Sequence, residues 1–421
     1  MDRIMFAAAV GAFLAVTVAV HAEVAALRGD GAGDDGPAIQ QALQAAAERG
    51  GGVVTLPAGQ YRVDGALTVP SGVTLAGVWE TPHFSTPGQG TTLLAYGGRG
   101  QAEGTPLITL QGNSAVKGLT IYYPEQTAAD VQPYPPAIAG AGTHLNVSEV
   151  TLLNPYQGID FGRGHEMHYI RNVYGCPLRL GVRVDRCTDI GRIENVHFNP
   201  NSWTRAGTPN APRGEDAKRL MDYLGANCVA FEFGRSDWEY VLNTFSYGCK
   251  VGYRFYNGGA GATNGNFVGL GADMAAHPLL VEETQRPGLL ITNGEFVGNH
   301  ENEAALEVLA SHTGVVQLSN CSFWGPHKRI ARVEGKGVVS LAQCNFCDWD
   351  EKNLPAVEAN GGDLTVQGCT FWRDGRQVLL GPGLRSAVIL GNTVEGALRI
   401  ENQSQGDVQV GFNASRAKRS E

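Results

Sequence analysis

The chain has 421 residues, a formal net charge of −9, 57 glycines, 17% charged and 43% apolar residues. That composition excludes a disordered chain and a membrane-embedded bundle, and describes foldable, turn-rich material. The acidic balance also excludes nucleic acid as a partner, because phosphate binding needs a basic face.

In chain order, residues 1–22 (MDRIMFAAAVGAFLAVTVAVHA) place Arg3 before an apolar run and close on Val20-His21-Ala22. That small-x-small ending is expected of a cleaved secretory signal. An uncleaved anchor is the competing expectation, since the run is almost long enough to span a bilayer. We expect cleavage after Ala22, a secreted or periplasmic protein, no membrane contact once processed, and one domain over 23–421.

Residues 27–63, LRGDGAGDDGPAIQQALQAAAERGGGVVTLPAGQYRV, open with Gly and Asp turns. Apolar residues then recur at helical spacing, predicting a helix over about 36–49, before a Gly-rich turn and a strand ending at Tyr61. Two extended loops are expected, at 122–136 and 199–227.

From residue 170 onward a short pattern recurs, seen in RNVYG at 171, ENVHF at 194, TNGEF at 292 and SNCSF at 319. Its Asn column reads Asn172, Asn195, Asn243, Asn264, Asn293, Asn320, Gln343, Gly368 and Gly391. The usual period is about 23 residues, with one period of about twice that length where 199–227 is inserted. Short strands at this period, separated by Gly and Asn, predict an all-β chain folded as one right-handed parallel β-helix of about ten to twelve coils. The predicted N-terminal helix would cover the solenoid's open edge. Cys321, Cys344 and Cys369 fall in one column, as stacked core thiols rather than disulfides. Exported chains often carry disulfides, so a bond between neighbouring rungs is the competing expectation.

The stretch 27–63 closely resembles the start of the pectate lyase superfamily 3 domain, found in rhamnogalacturonase- and epimerase-like β-helices, glycoside hydrolase relatives and some phage tailspikes. The resemblance implies the fold and does not by itself imply one activity.

Strands GIDFG at 158, GVRVD at 181, AFEFG at 230 and GYRFY at 252 alternate strictly. They place Ile159, Phe161, Val182, Val184, Phe231, Phe233, Tyr253 and Phe255 inward, and Asp160, Arg183, Glu232 and Arg254 outward in one column. The next outward positions are Leu280 and Glu307, so the polar column is expected to be local. A salt-bridge ladder and a substrate groove both account for it. A second column is expected from Glu166, Asp189 and Asp237, with Arg163, Arg186 and Arg235 just before each. Trp203 on the long insertion, with Trp238 and Tyr240, are candidate sugar platforms. His165, His168, His197 and His300 are scattered, suggesting surface or turn roles.

Two chemistries fit these columns. Glycosidic hydrolysis needs an acid and a second carboxylate; Asp160 and Glu232, with Asp189 and Asp237 as further candidates, would supply them without a cofactor. Arg183 and Arg254 would hold an acidic substrate. The alternative is elimination: the family resemblance implies Ca²⁺ held by Asp and Glu on adjacent coils with Arg as base, here Glu166, Asp189 and Asp237 with Arg183 or Arg254. Polygalacturonase-like hydrolases of this fold carry motifs that are only partly echoed in Gly164-His165-Glu166 and Arg192-Ile193-Glu194. A non-catalytic carbohydrate-binding or adhesive solenoid is the third possibility. The expected partner is a polysaccharide or oligosaccharide, bound by a monomer or trimer.

Overall fold

The computed structural model describes residues 27–79, 89–349 and 353–417. The expected leader at 1–22 lies outside the described residues. No helix among them is long and apolar enough to cross a membrane.

The chain winds as a parallel β-solenoid of about 15 turns, more than the ten to twelve expected. One coil shows how it is built. The strand Leu180–Val184 lies in the first sheet, and residues 185–190 turn the corner. The strand Gly191–Phe198 then runs through the second sheet, bends at Asn195 and continues into the third. Alternation decides what is buried. Ile159, Val182, Phe231 and Tyr253 stand in register on successive coils and are each 0% exposed. Aromatic rings stack up this interior, with Phe231 and Tyr253 nearly parallel at 4.9 Å and Phe233 and Phe255 at 5.4 Å. Each such side chain contributes roughly 1.5–3 kcal/mol by leaving water.

The corner between the second and third sheets needs a left-handed residue. Asn172, Asn195, Asn243, Asn293 and Asn320 all have φ between 50° and 57°, a region Asn tolerates through local hydrogen bonding. Asn195 donates to Asn172 at 2.7 Å and Asn320 to Asn293 at 2.6 Å. Most of this ladder is exposed rather than buried. Its fourth member is Gly269 (φ 68), not the expected Asn264, which instead pairs with Asp237. TNGNF at 263 imitates the recurring pattern five residues ahead of the true corner; a one-residue bulge also lies between Asp237 and Glu239, where Trp238 takes φ 121.

Helix α1 (Gly36–Glu48) starts with Pro in its first turn and buries Ile39, Ala42, Leu43 and Ala46. Gln40 accepts from the Thr68 amide at 2.7 Å and donates to its carbonyl at 3.1 Å. The side-chain amide thus replaces a missing neighbouring strand at the first edge, which blunts it against further pairing. All eight cysteines are free, and seven are buried. Cys321, Cys344 and Cys369 do stack, with the Cys344 amide 3.4 Å from Cys369 Sγ.

Candidate functional site

The outer face of the first sheet carries Asp160, Arg183, Glu232 and Arg254 in strict register. Arg183 grips both oxygens of Asp160, Nε to Oδ1 at 2.7 Å and Nη2 to Oδ2 at 2.5 Å, and the Gly162 amide adds a third donor at 2.8 Å. Arg254 bridges Glu232 at 3.0 Å and Glu282 at 2.6 Å. Arg183 is therefore committed within the ladder, and Asp160 has donors on both oxygens. A carboxylate held this way has little left with which to protonate a leaving group or activate water. The column is also not local: beyond Leu280 it continues through Glu307, Arg332 and Glu358. Alternation of charge therefore extends into the plain C-terminal coils, where Glu307 pairs with His277, Arg332 with Glu334 and Glu358 with Arg329.

The second expected column does not form. Backbone bridges align His165, Cys187 and Ser236, so Thr188, not Asp189, stands between Glu166 and Asp237. The Thr188 hydroxyl donates to Glu166 at 2.7 Å, and Asp237 is taken by Arg235 at 2.7 Å and Gln285 at 2.6 Å. Glu166, Asp189 and Asp237 do not come together as a group of metal-binding oxygens among the described residues. They do not fit the calcium site expected of them, because Asp189 lies one position out of register and Thr188, Arg235 and Gln285 take up the oxygens of Glu166 and Asp237.

The aromatic candidates also disperse. Trp203 is 0% exposed, on the short helix α2 (Asn201–Thr204), and packs in the core instead of offering a platform. Trp238 is half-buried at the bulge, and Tyr240 is 40% exposed on the second sheet, with Arg192 over its ring at 5.7 Å. His165 and His168, read from the sequence as surface or turn residues, are 3% and 0% exposed.

The two long loops join each other. Asn210 of the second donates to the Gln126 carbonyl of the first at 2.7 Å and accepts from the Tyr122 hydroxyl at 2.5 Å. Helix α3 (Glu215–Asn227) then leads back to the first sheet, where Arg179 donates to the Asn227 carbonyl at 3.1 Å.

Where α3 ends against that sheet there is a cleft of about 410 Å³ that sequence reasoning missed. Arg179, Lys250, Arg254 and His277 line it together with Asn227, Leu280 and Glu282. In a chain of net charge −9, this is a local reversal of sign. His277 opens the strand His277–Val281, and its Nδ1 lies 2.5 Å from Glu307 Oε1 on the next coil. Glu307, 12% exposed at its side chain, thus fixes the ring and leaves Nε2 for a ligand. Tyr256 lies under Arg254, whose guanidinium is 4.7 Å from the ring centroid. Burial, then the nearby Glu232 and Asp185 charges, push its phenol well above the usual tyrosine range, so it keeps its proton. The arrangement can bind a carboxylate and accept a proton at an oriented imidazole. The sequence signal was weak: His277 and Glu307 are 30 residues apart, and neither belongs to a recurring motif.

Comparison with known proteins agrees with this architecture. The family described as rhamnogalacturonase A/epimerase, pectate lyase-like, matches residues 23–124. A mannuronan C5-epimerase (AlgE3) of Azotobacter vinelandii is 28% identical over 311 residues, which is 69% of this chain and 14% of that protein. The chain thus spans a small part of the curated relatives it matches. The solved A-module of another A. vinelandii mannuronan C5-epimerase (AlgE6) superposes with a TM-score of 0.53 at 17% identity, covering 93% of this chain and 97% of that one. An N-terminal fragment of the bacteriophage phi29 gene product 12 superposes with a TM-score of 0.62 at 13% identity, over 93% and 69%. At these identities the structural matches speak for the fold.

Proposed function

By its fold the chain belongs to the pectate lyase-like β-helix superfamily, and from that premise we propose that it is an exported enzyme that modifies an acidic polysaccharide by removing the proton at C5 of a uronate unit. The observation that carries this reading is the cationic cleft on the first sheet with the His277–Glu307 pair at its wall. The sequence likeness to mannuronan C5-epimerases supports the substrate class.

Abstraction of a proton next to a carboxylate is slow because negative charge develops on that carboxylate. Cations placed where the charge grows lower the barrier most effectively. Arg179 and Lys250 serve that role, beside an Arg254 that Glu232 and Glu282 already engage. His277 Nε2 takes the proton, while Glu307 holds Nδ1–H and stabilises the imidazolium. Return of a proton from solvent to the opposite face inverts the carbon, and His277 then gives its own proton up to solvent, so atoms and charge balance. Expulsion of the neighbouring glycosidic oxygen from the same intermediate would give the lyase outcome. Hydrolysis through Asp160 and Glu232 has less support, since Arg183 and Arg254 already engage both carboxylates.

The test is a panel of polymannuronate, polyguluronate and polygalacturonate, with and without added Ca²⁺. It is followed by proton NMR for inverted residues, ultraviolet absorbance for unsaturated ends and a reducing-sugar assay. Inverted or unsaturated residues that vanish in His277→Ala support the proposal. New reducing ends without either product, lost in Asp160→Asn or Glu232→Gln, would overturn it in favour of a hydrolase.

A further inference from the structure

The corner between the first and second sheets encloses a polar cluster that the cleft chemistry leaves unused. His165, His168, Cys187, Ser236 and Glu239 are between 0% and 3% exposed. His165 Nδ1 is 2.8 Å from the Arg163 carbonyl. A carbonyl only accepts, so that nitrogen carries the proton and Nε2 carries the lone pair. Nε2 faces His168 Nδ1 at 3.0 Å, and Cys187 Sγ lies 3.8 Å from the same Nδ1. These three atoms all lie within 4.8 Å of one another.

Tetrahedral zinc, with bonds of about 2.0–2.1 Å to nitrogen and 2.3 Å to sulfur, sets its ligand atoms roughly 3.3–3.6 Å apart. The observed 3.0 and 3.8 Å bracket that range. The second layer fits as well. His168 Nε2 donates to Glu239 Oε1 at 3.0 Å, and Glu239 Oε2 accepts from the Ser236 hydroxyl at 2.5 Å. A carboxylate behind the ring and a carbonyl behind its partner are the supports that orient metal-binding histidines. Gly191 makes the space: a Cβ there would sit 2.1 Å from His168 Cε1 and 2.4 Å from Glu239 Oε2. A pocket of about 240 Å³, lined by His144, Met167, His168, Tyr169 and Arg192 among others, adjoins the cluster and offers a way in.

We propose that His165 Nε2, His168 Nδ1 and Cys187 Sγ bind one zinc-like divalent ion, leaving its fourth position to a small ligand such as water. Binding displaces the proton shared by the two imidazoles and the thiol proton, so the ion meets two neutral rings and a thiolate. Two nitrogens and one sulfur select Zn²⁺ or Co²⁺ over Ca²⁺ or Mg²⁺, which require oxygen.

The test uses the full chain stripped of metal with a chelator and titrated with Co²⁺. The expected result is one equivalent bound, with tetrahedral d–d bands and a thiolate charge-transfer band. Zn²⁺ should abolish both and Ca²⁺ should leave them unchanged. Cys187→Ser should lose the charge-transfer band, and Cys347→Ser, at the half-exposed thiol, should keep it. If Cys187→Ser does not fold, X-ray absorption of the zinc-loaded natural chain decides, one sulfur and two imidazoles being expected. A chain that shows no band with Co²⁺ and retains less than about a tenth of an equivalent of Zn²⁺ would overturn the site. So would a charge-transfer band that survives Cys187→Ser.

Discussion

His277 Nδ1 lies 2.5 Å from Glu307 Oε1, joining a ring on the cleft wall to a largely buried carboxylate one coil further along. This pair is the proposed site of proton transfer, with Glu307 drawn from the outward charged column of the first sheet. Removal of the ring, His277→Ala, is expected to cost about 10²–10⁴-fold in turnover while leaving the melting temperature nearly unchanged. Glu307→Gln keeps the ring and should cost less, with an altered pH profile because the imidazolium loses its counter-charge. Steady-state rates across pH on the responsive polymer check both.

Arg183 and Asp160 give the opposite expectation. Arg183→Met leaves a largely buried carboxylate without its cation and should destabilise the chain by about 1–2 kcal/mol, between the values for exposed and buried pairs. Adding Asp160→Asn should recover much of that loss. Denaturant titration of the two variants against the parent chain checks it. Loss of turnover out of proportion to stability would return the ladder to the active site.

Phe231 lies between Phe198, at 5.4 Å, and Tyr253, at 4.9 Å. Phe231→Ala opens a cavity with neighbours on both sides and should cost about 3–5 kcal/mol. Thermal unfolding followed by circular dichroism checks this.

His312 sets an acid limit. It is fully buried, its Nε2 is 3.0 Å from the Thr284 hydroxyl, and its Nδ1 has no partner. Burial lowers its pKa from 6.5, with Glu283 opposing. The unfolded chain therefore takes up this proton before the folded chain does. Stability from the neutral ring is complete above pH 6.5 and declines as the pH falls below it. In His312→Gln the melting temperature should fall less steeply between neutral pH and pH 5 than in the parent chain.

The legible part of this molecule was the part governed by strand alternation. The inward set from Ile159 to Phe255 and the outward set from Asp160 to Arg254 follow from a period of two, and the structure places both in register. Legibility failed where the count shifted or a motif misled. TNGNF at 263 imitates the repeat five residues ahead of the corner at Gly269, and the one-residue bulge at Trp238 turns Glu239 inward, where it meets His168. Thr188 occupies the position expected of Asp189, which dissolves the carboxylate column. Trp203, taken as a platform on an exposed loop, is buried because the insertion folds its own helices onto the solenoid. The cleft was invisible for a different reason: Arg179, Lys250 and His277 come from three coils and share no motif.

The most direct test of the proposed chemistry is incorporation of solvent deuterium at C5 of polymannuronate incubated with the chain in D₂O, read by NMR before much product forms. The account predicts deuterium at C5 with the natural chain and with Asp160→Asn, and none with His277→Ala. Glycosidic cleavage with C5 still fully protonated, or exchange that persists in His277→Ala, would contradict it.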